Sequence, residues 1–303
     1  MESKTDYIPS MLHKPAYLGH GVEPFDLILE GGAMRGLFTA GVTDFFLDKG
    51  LCAQHVIGTS AGALAGYNYV AGEDGRTCYL NTKYCTDPRY LSMKSYVKTG
   101  NALGVELMFD EIPNKLDPFN YDAFRKSPMV LTSVSSNLEL GDADYHTFGD
   151  PKDDLPYLQA SSSMPLVSQI VEVDGKKLLD GGICDSVPYL FSMLCGTSKQ
   201  VVVLTQHLGY KKHRNKAMEM LSKKYSSYPL FLDRIEHRHF EYNLTYRRLQ
   251  RMHESGQIFV IRPPEPVRVS TMESDPDKLF ELYETGYREA AIHWEELQRY
   301  LGL

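Results

Sequence analysis

Gly58-Thr59-Ser60-Ala61-Gly62 is the segment of this sequence best suited to chemistry. It follows the apolar stretch His55-Val56-Ile57 and precedes the helix-prone Ala63-Leu64-Ala65. A G-x-S-x-G pattern on a strand-to-helix turn is a nucleophile elbow. The turn is so tight that a side chain at Gly58 or Gly62 would crowd the serine or the neighbouring elements. The serine is pushed into a strained, exposed position at a helix N-terminus, where aligned N–H groups favour negative charge. The bare pattern occurs by chance in about one chain in ten of this length. The strand before it and the helix after it give it far more weight. The chemistry it fits is covalent acyl transfer.

A serine is a poor nucleophile without a base, and acyl transfer needs donors for the oxyanion. Glu30-Gly31-Gly32-Ala33-Met34-Arg35-Gly36 is a Gly-rich loop that would present backbone N–H groups near the elbow. Its other reading, a phosphate cradle, fails because position 33 is Ala and no Lys-Ser/Thr pair follows. For the base, Asp180-Gly181-Gly182 stands after a hairpin strand, although such a triplet usually marks a plain turn. His207, just past an apolar strand, and His146 are the alternative bases. His213, His237 and His239 are poor metal ligands as a group, because residues two apart on a helix face different ways. No metal and no cofactor is required by this chemistry.

These residues need elements to hold them. Asp26–Leu29 reads as a short strand, 37–48 as a helix stopped by Gly50, 54–57 as a strand and 60–70 as a helix. Further strands are expected at 130–134, 169–173, 176–179, 201–205 and 258–261. Alternating strands and helices favour an α/β sheet covered on both faces. Residues 1–24, with Pro9, Pro15 and Pro24, read as an irregular N-terminal arm. Residues 74–125 read as a helical insertion over the sheet. The aromatic residues Tyr79, Tyr84, Tyr90, Tyr96, Phe109, Phe231, Phe240 and Tyr242 suit either an acyl-chain wall or an ordinary core. Tyr228, Phe231, Leu232, Ile235, His239, Tyr242, Tyr246 and Leu249 form the stripe of a helix over about 228–250, either a lid, an interfacial helix or a surface helix. Leu279, Tyr283, Tyr287, Ala290, Trp294, Leu297 and Leu301 predict one last amphipathic helix, capped by Asp275 with Pro276 at its first position.

Composition narrows the function classes. The 303 residues are 43% hydrophobic and 23% charged, which excludes disordered and collagen-like chains. No apolar run approaches the roughly 18 residues of a membrane span. The N-terminal residues lack an apolar core and cleavage site, so no signal peptide is expected. The five cysteines form no CxxC pair and read as reduced thiols of a cytoplasmic protein. A net charge of −7 argues against nucleic acid. The charge is uneven, however: residues 211–251 carry 11 Lys/Arg against 4 Asp/Glu, leaving the remainder about −14. A basic run usually solvates a face, but it also fits transient contact with an anionic membrane surface.

Three elements now stand in a fixed order: a Gly-rich loop with Arg, G-T-S-A-G, and D-G-G about 120 residues later. Together they resemble the patatin-like phospholipase family, and bacterial members in particular, from about Phe25 to Val203. The resemblance implies a three-layer α/β/α fold with a mostly parallel central sheet and a helical C-terminal segment. Residues 25–205 would form the catalytic core and 206–303 would complete the same domain. It implies a serine lipid acyl hydrolase of phospholipase A or esterase type, with Ser60 as nucleophile and Asp180 as base. The oxyanion hole falls on the backbone of Gly31, Gly32 and Ala33, and Arg35 occupies the motif's basic slot. Gly36, Gly58, Gly62, Gly181 and Gly182 support the motifs. Two positions depart: Glu30 stands where the family usually has Asp, and Ala33 where it usually has Gly. Alanine still donates its N–H but is costly at positive φ. That departure supports the alternative of a non-catalytic lipid-binding or regulatory module. A His-dependent esterase of small esters is the other alternative. The expected partner is a lipid or ester substrate, and the expected location cytoplasmic or peripheral at the membrane.

Overall fold

The computed structural model describes residues 21–303, so most of the expected arm lies outside the described residues. The elements run β1 (Glu23–Leu29), α1 (Gly36–Asp48), β2 (Ala53–Thr59), α2 (Ala61–Val70), α3 (Arg76–Tyr84), α4 (Met93–Thr99), α5 (Tyr121–Lys126), β3 (Val130–Asn137) and β4 (Asp142–Thr147). There follow α6 (Leu155–Ser161), β5 (Val171–Val173), β6 (Lys176–Asp180), α7 (Tyr189–Cys195), β7 (Gln200–Val203), α8 (Met218–Lys224), α9 (Pro229–Glu254), β8 (Phe259–Ile261), α10 (Pro276–Ile292) and α11 (Trp294–Leu301). A wide π-helical coil at Leu107–Leu116 lies between α4 and α5.

The eight strands form one sheet in the order β5-β6-β3-β2-β1-β7-β8, with β4 on β3. The pairs among β3, β2, β1, β7 and β8 are parallel, and those of β4, β5 and β6 are antiparallel. Parallel strands buried on both faces need unbroken apolar runs, and Leu27-Ile28-Leu29 and Val201-Val202-Val203 supply them, all fully buried. One face carries the main core, shared by α1, α2 and α10. The other face packs Ile28, Val202 and Val260 against Val187, Tyr189, Tyr242, Tyr246 and Leu249 of the α7 and α9 regions. The architecture is the three-layer α/β/α sandwich expected. Four cysteines are buried and free and Cys195 is exposed and free.

Four details differ from the sequence reading. Residues 23 and 24 belong to β1, not to the arm; a register irregularity between Glu23 and Asp26 accommodates Pro24. β4 was not expected, because Asp142-Ala-Asp-Tyr-His-Thr lacks an apolar run and is held by pairing with β3. The C-terminal stripe divides at His293, and Trp294 turns edge-on to Phe45, 5.6 Å between ring centroids. The basic segment is partly internal, since Lys212 and Arg238 are only partly exposed. Among the described residues no helix is long and apolar enough to cross a membrane.

Candidate functional site

β2 ends at Thr59 and α2 begins at Ala61, so Ser60 is the whole turn. Its backbone stands at φ 56, ψ −122, a region costly for any side chain and tolerated where the surroundings enforce it. The flanking glycines make that enforcement possible. An added Cβ at Gly58 would lie 2.6 Å from Ala63 N, and one at Gly62 would lie 2.3 Å from Leu29 O. The Ser60 N–H donates to Ser161 Oγ at 2.9 Å, and Ser161 Oγ donates to the Val134 carbonyl at 2.6 Å. Ser161 therefore ties the elbow to β3. Sequence reading missed it, and its position at the end of α6 gave no local signal.

Asp180 ends β6 and begins the turn Gly181–Ile183. Its Oδ1 accepts from Gly182 N at 2.8 Å, which orients the carboxylate. Its Oδ2 is left to accept from Ser60 Oγ at 2.7 Å. Both residues are 8% exposed. Burial pushes the Asp180 carboxyl above the usual carboxylate range; the Ser60 and Gly182 bonds and the positive Arg238 and Lys212 pull it partly back. A raised pKa makes a stronger base. Among the described residues neither alternative base makes a hydrogen bond to the serine. His146 Nε2 lies 2.9 Å from Asp154 Oδ1 and its ring stacks on Tyr157, while His207 lies edge-on to Tyr210. His237 and His239 bond carbonyls of their own helix, those of Asp233 and Glu236.

The Gly-rich loop lies against the elbow. An added Cβ at Gly31 would sit 3.2 Å from Ser60 Cβ. The Gly31 N–H is committed to the Ser186 carbonyl at 3.3 Å. That bond takes it away from the oxyanion role expected of Gly31, Gly32 and Ala33 together. The N–H groups of Gly32 and Ala33 have no partner among the described residues. Ala33 adopts φ 49, so this chain holds an alanine in the left-handed region that the usual glycine would occupy more cheaply. Arg35 and Gly36 lie where the loop enters α1, and the Arg35 Nε has no hydrogen-bond partner among the described residues.

Glu30, noticed in the sequence only as a departure, anchors this loop. Its buried carboxylate accepts from Thr205 N (2.5 Å), Thr205 Oγ1 (3.1 Å), Tyr246 Oη (2.6 Å) and Tyr242 Oη (2.5 Å). Burial and Glu30 raise the pKa of both tyrosines, so they remain donors. Opening α9 as a lid would strip two donors from a buried carboxylate. The available signal was the i, i+4 spacing of Tyr242 and Tyr246 on one helix face.

Ser60 borders an apolar cavity of about 130 Å³, walled by Leu64, Leu80, Leu91, Phe109 and Leu158. The 74–125 insertion does cover the sheet here, and Tyr90 and Phe109 of the expected aromatic wall line it. Phe231 and Tyr242 pack elsewhere, and Phe240 is exposed. A buried serine–carboxylate pair beside an apolar cavity and two unpaired N–H groups is chemically equipped for acyl transfer.

The patatin-like phospholipase family model matches residues 27–191, and a domain of unknown function (DUF6363) matches 228–302. An uncharacterized protein of Escherichia coli is 26% identical over 266 residues, covering 86% of this chain and 74% of its own length. A lysophospholipase of Candida glabrata is 26% identical over 199 residues, covering 61% of this chain but only 11% of its own length. The crystal structure of VipD from Legionella pneumophila aligns with a TM-score of 0.44 at 12% identity, covering 90% of this chain and 67% of that one. The family match takes in the loop, the elbow and the Asp-Gly-Gly turn and spans more than half of the sequence, so this chain belongs to the patatin-like phospholipase family.

Proposed function

We propose that the protein is a serine lipid acyl hydrolase of phospholipase A or esterase type. Asp180 accepts the Ser60 proton as the hydroxyl oxygen attacks an ester carbonyl. The N–H groups of Gly32 and Ala33 stabilise the oxyanion. The carbon–oxygen bond of the ester breaks, and the alcohol leaves with the proton returned by Asp180. Water, deprotonated by the same carboxylate, then releases the fatty acid and restores Ser60. Asp180 carries the base role alone, with no histidine and no metal in the cycle. The acyl chain lies in the apolar cavity, and residues 206–303 complete the domain. The protein works in the cytoplasm or at the membrane surface.

The observation that carries this reading is the 2.7 Å bond from Ser60 Oγ to Asp180 Oδ2. The test is hydrolysis of a chain-length series of p-nitrophenyl esters by wild type, Ser60→Ala and Asp180→Asn. Loss of at least about 10³-fold in both variants is expected. Turnover that survives Asp180→Asn would transfer the base role to a histidine. A wild type that binds liposomes but resists a fluorophosphonate probe would be the non-catalytic lipid-binding module.

A further inference from the structure

The segment matched to a domain of unknown function, residues 228–302, helps to build a second concave site. The carboxyl ends of β2, β1, β7 and β8 stand in a row, because neighbours among them pair in parallel. Ser60 follows β2 and Glu30 follows β1. Further along that row, the loop after β7, one face of α9 and the residue after β8 enclose a groove of about 610 Å³. Open α/β sheets take their ligands in crevices at the carboxyl ends of parallel strands. The groove and the apolar cavity at Ser60 have separate walls.

Asn243, Arg247, Arg251 and Glu254 recur at spacings of three and four on α9, so they share its face toward the groove. Asn243 also clamps the loop to that face. Its Oδ1 accepts from Lys212 N at 2.8 Å and its Nδ2 donates to the Lys212 carbonyl at 2.9 Å. Arg262 enters from the other side, immediately after β8. Tyr246 lines the groove too, and its Oη donates to Glu30 at 2.6 Å.

Among the described residues, Lys211, Arg247, Arg251 and Arg262 line the groove against one carboxylate, Glu254, a net of +3. The arginines of this region that do meet carboxylates are Arg214, on Glu236, and Arg234, on Glu241. None of the four groove cations forms an ion pair within 4.0 Å among the described residues. Glu254 accepts from Gln250 Nε2 at 2.7 Å. Arg262 is partly buried, and its Nη2 has no partner among the described residues. Burial lowers the pKa of its guanidinium, with Tyr246, Glu30 and Glu254 opposing. Glu30 is already occupied by Thr205, Tyr242 and Tyr246. A guanidinium held partly out of water without a counter-ion is costly, and a bound anion removes that cost. A solvated helix face accounts for the exposed Arg247 and Arg251 but not for Arg262.

We propose that this groove binds a small soluble anion bearing two or more phosphoryl groups, anchored by Arg262 and completed by Lys211, Arg247 and Arg251. Two phosphoryl groups carry about three to four negative charges at neutral pH, which matches the charge of the walls. Guanidinium forks bind phosphate oxygens in pairs. Exposed Leu208 and Phe240 also line the groove and fit an organic portion of the ligand. A bilayer would meet the exposed Arg247 and Arg251 first, whereas Arg262 calls for an anion that enters the groove. The site gives the C-terminal segment a ligand of its own and stands whether or not Ser60 turns over an ester.

The test titrates inorganic tripolyphosphate into the full chain at low salt, followed by calorimetry. Wild type should bind it, and Arg262→Met should weaken binding at least about tenfold. Arg247→Gln and Arg251→Gln, at exposed positions, should each weaken it at least about threefold, and they keep the test open if Arg262→Met fails to fold. Glu254→Gln removes the opposing charge and should tighten binding about two- to fivefold, which a merely structural role would not produce. Lys94→Gln makes the same change of net charge as Arg251→Gln on exposed α4 and should leave the affinity within about 1.5-fold of wild type. Absence of binding by wild type up to about 1 mM would overturn the site. A Lys94→Gln as weak as Arg251→Gln would overturn it as well, because affinity would then follow net charge alone. Pelleting with vesicles of anionic phospholipid is the second arm. Vesicle binding lost in the Arg247 and Arg251 variants, with no tripolyphosphate binding by wild type, would make this face a membrane contact and overturn the soluble ligand.

Discussion

Thr59 and Asp180 occupy consecutive rungs of β3, opposite Val134 and Ser135. β4 fills the other edge across the same residues, so β2 and β6 meet end to end along one edge. The parallel strand delivers Ser60 and the antiparallel strand delivers Asp180. The separation of the two groups is therefore set by the backbone ladder of a single strand, which is stiffer than any pair of loops.

Ser161 fixes the elbow to that same strand through Ser60 N and the Val134 carbonyl. Replacing Ser161 with Ala leaves both backbone groups buried without partners. We expect kcat on a p-nitrophenyl ester to fall about 10- to 100-fold with KM little changed, because a displaced nucleophile costs rate more than binding. Stability should fall by about 1–3 kcal/mol in the same variant. A kcat equal to wild type would remove the positioning role.

The pH profile of kcat/KM should carry the signature of Asp180. The base works only when ionised, so activity rises as pH rises through its pKa. Burial has raised that pKa, so the acid limb should lie above the ordinary aspartate value of about 4. An acid limb at or below about 4 would contradict a buried carboxylate base.

Glu30→Gln should destabilise the fold by about 2–4 kcal/mol, read from denaturant midpoints. The amide brings donors to a place where Thr205, Tyr242 and Tyr246 already point donors inward. Tyr246→Phe removes one donor and leaves the carboxylate three, so its cost should be smaller, about 1–2 kcal/mol. Equal stability of Glu30→Gln and wild type would mean that the tyrosines find other acceptors.

Asp185 offers a test of opposite sign. Burial raises its carboxyl to about 6, although Tyr145 Oη donates to it at 2.8 Å. Between about pH 4 and 6 the native state then holds more protons than the unfolded state, so stability falls as pH rises. Keeping the group ionised at neutral pH costs on the order of 2–3 kcal/mol, whereas weakening the Tyr145 bond costs about 1 kcal/mol. Asp185→Asn should therefore be the more stable protein at pH 7–8, with the advantage gone near pH 4. Thermal melts across that range decide it.

The elbow, the Gly-rich loop, the hairpin before Asp180 and the buried strands were legible because each is specified within a few residues. Glycines at 58 and 62 have a steric meaning that needs no knowledge of the rest of the chain. The partners of Glu30 were illegible for the opposite reason: Tyr246 lies 216 positions away, and nothing near residue 30 names it. β4 was missed because pairing, not composition, makes it a strand. Ala33 was read correctly as a residue unsuited to positive φ; the loop imposes φ 49 on it all the same. The inward turn of Lys212 and Arg238 was hidden because a charge run looks the same in sequence whichever way its members face.

The four donors on Glu30 have a consequence for anyone who would exchange parts between relatives. The glutamate lies in the segment matched to the phospholipase family, and two of its donors lie in the segment matched to a domain of unknown function. A chimera that grafts this core onto a foreign C-terminal half would carry an acid whose complement stayed behind. The two halves are locked as a bolt is to its thread, and only a transplant that moves residue 30 together with 242 and 246 should keep the loop beneath them in working order.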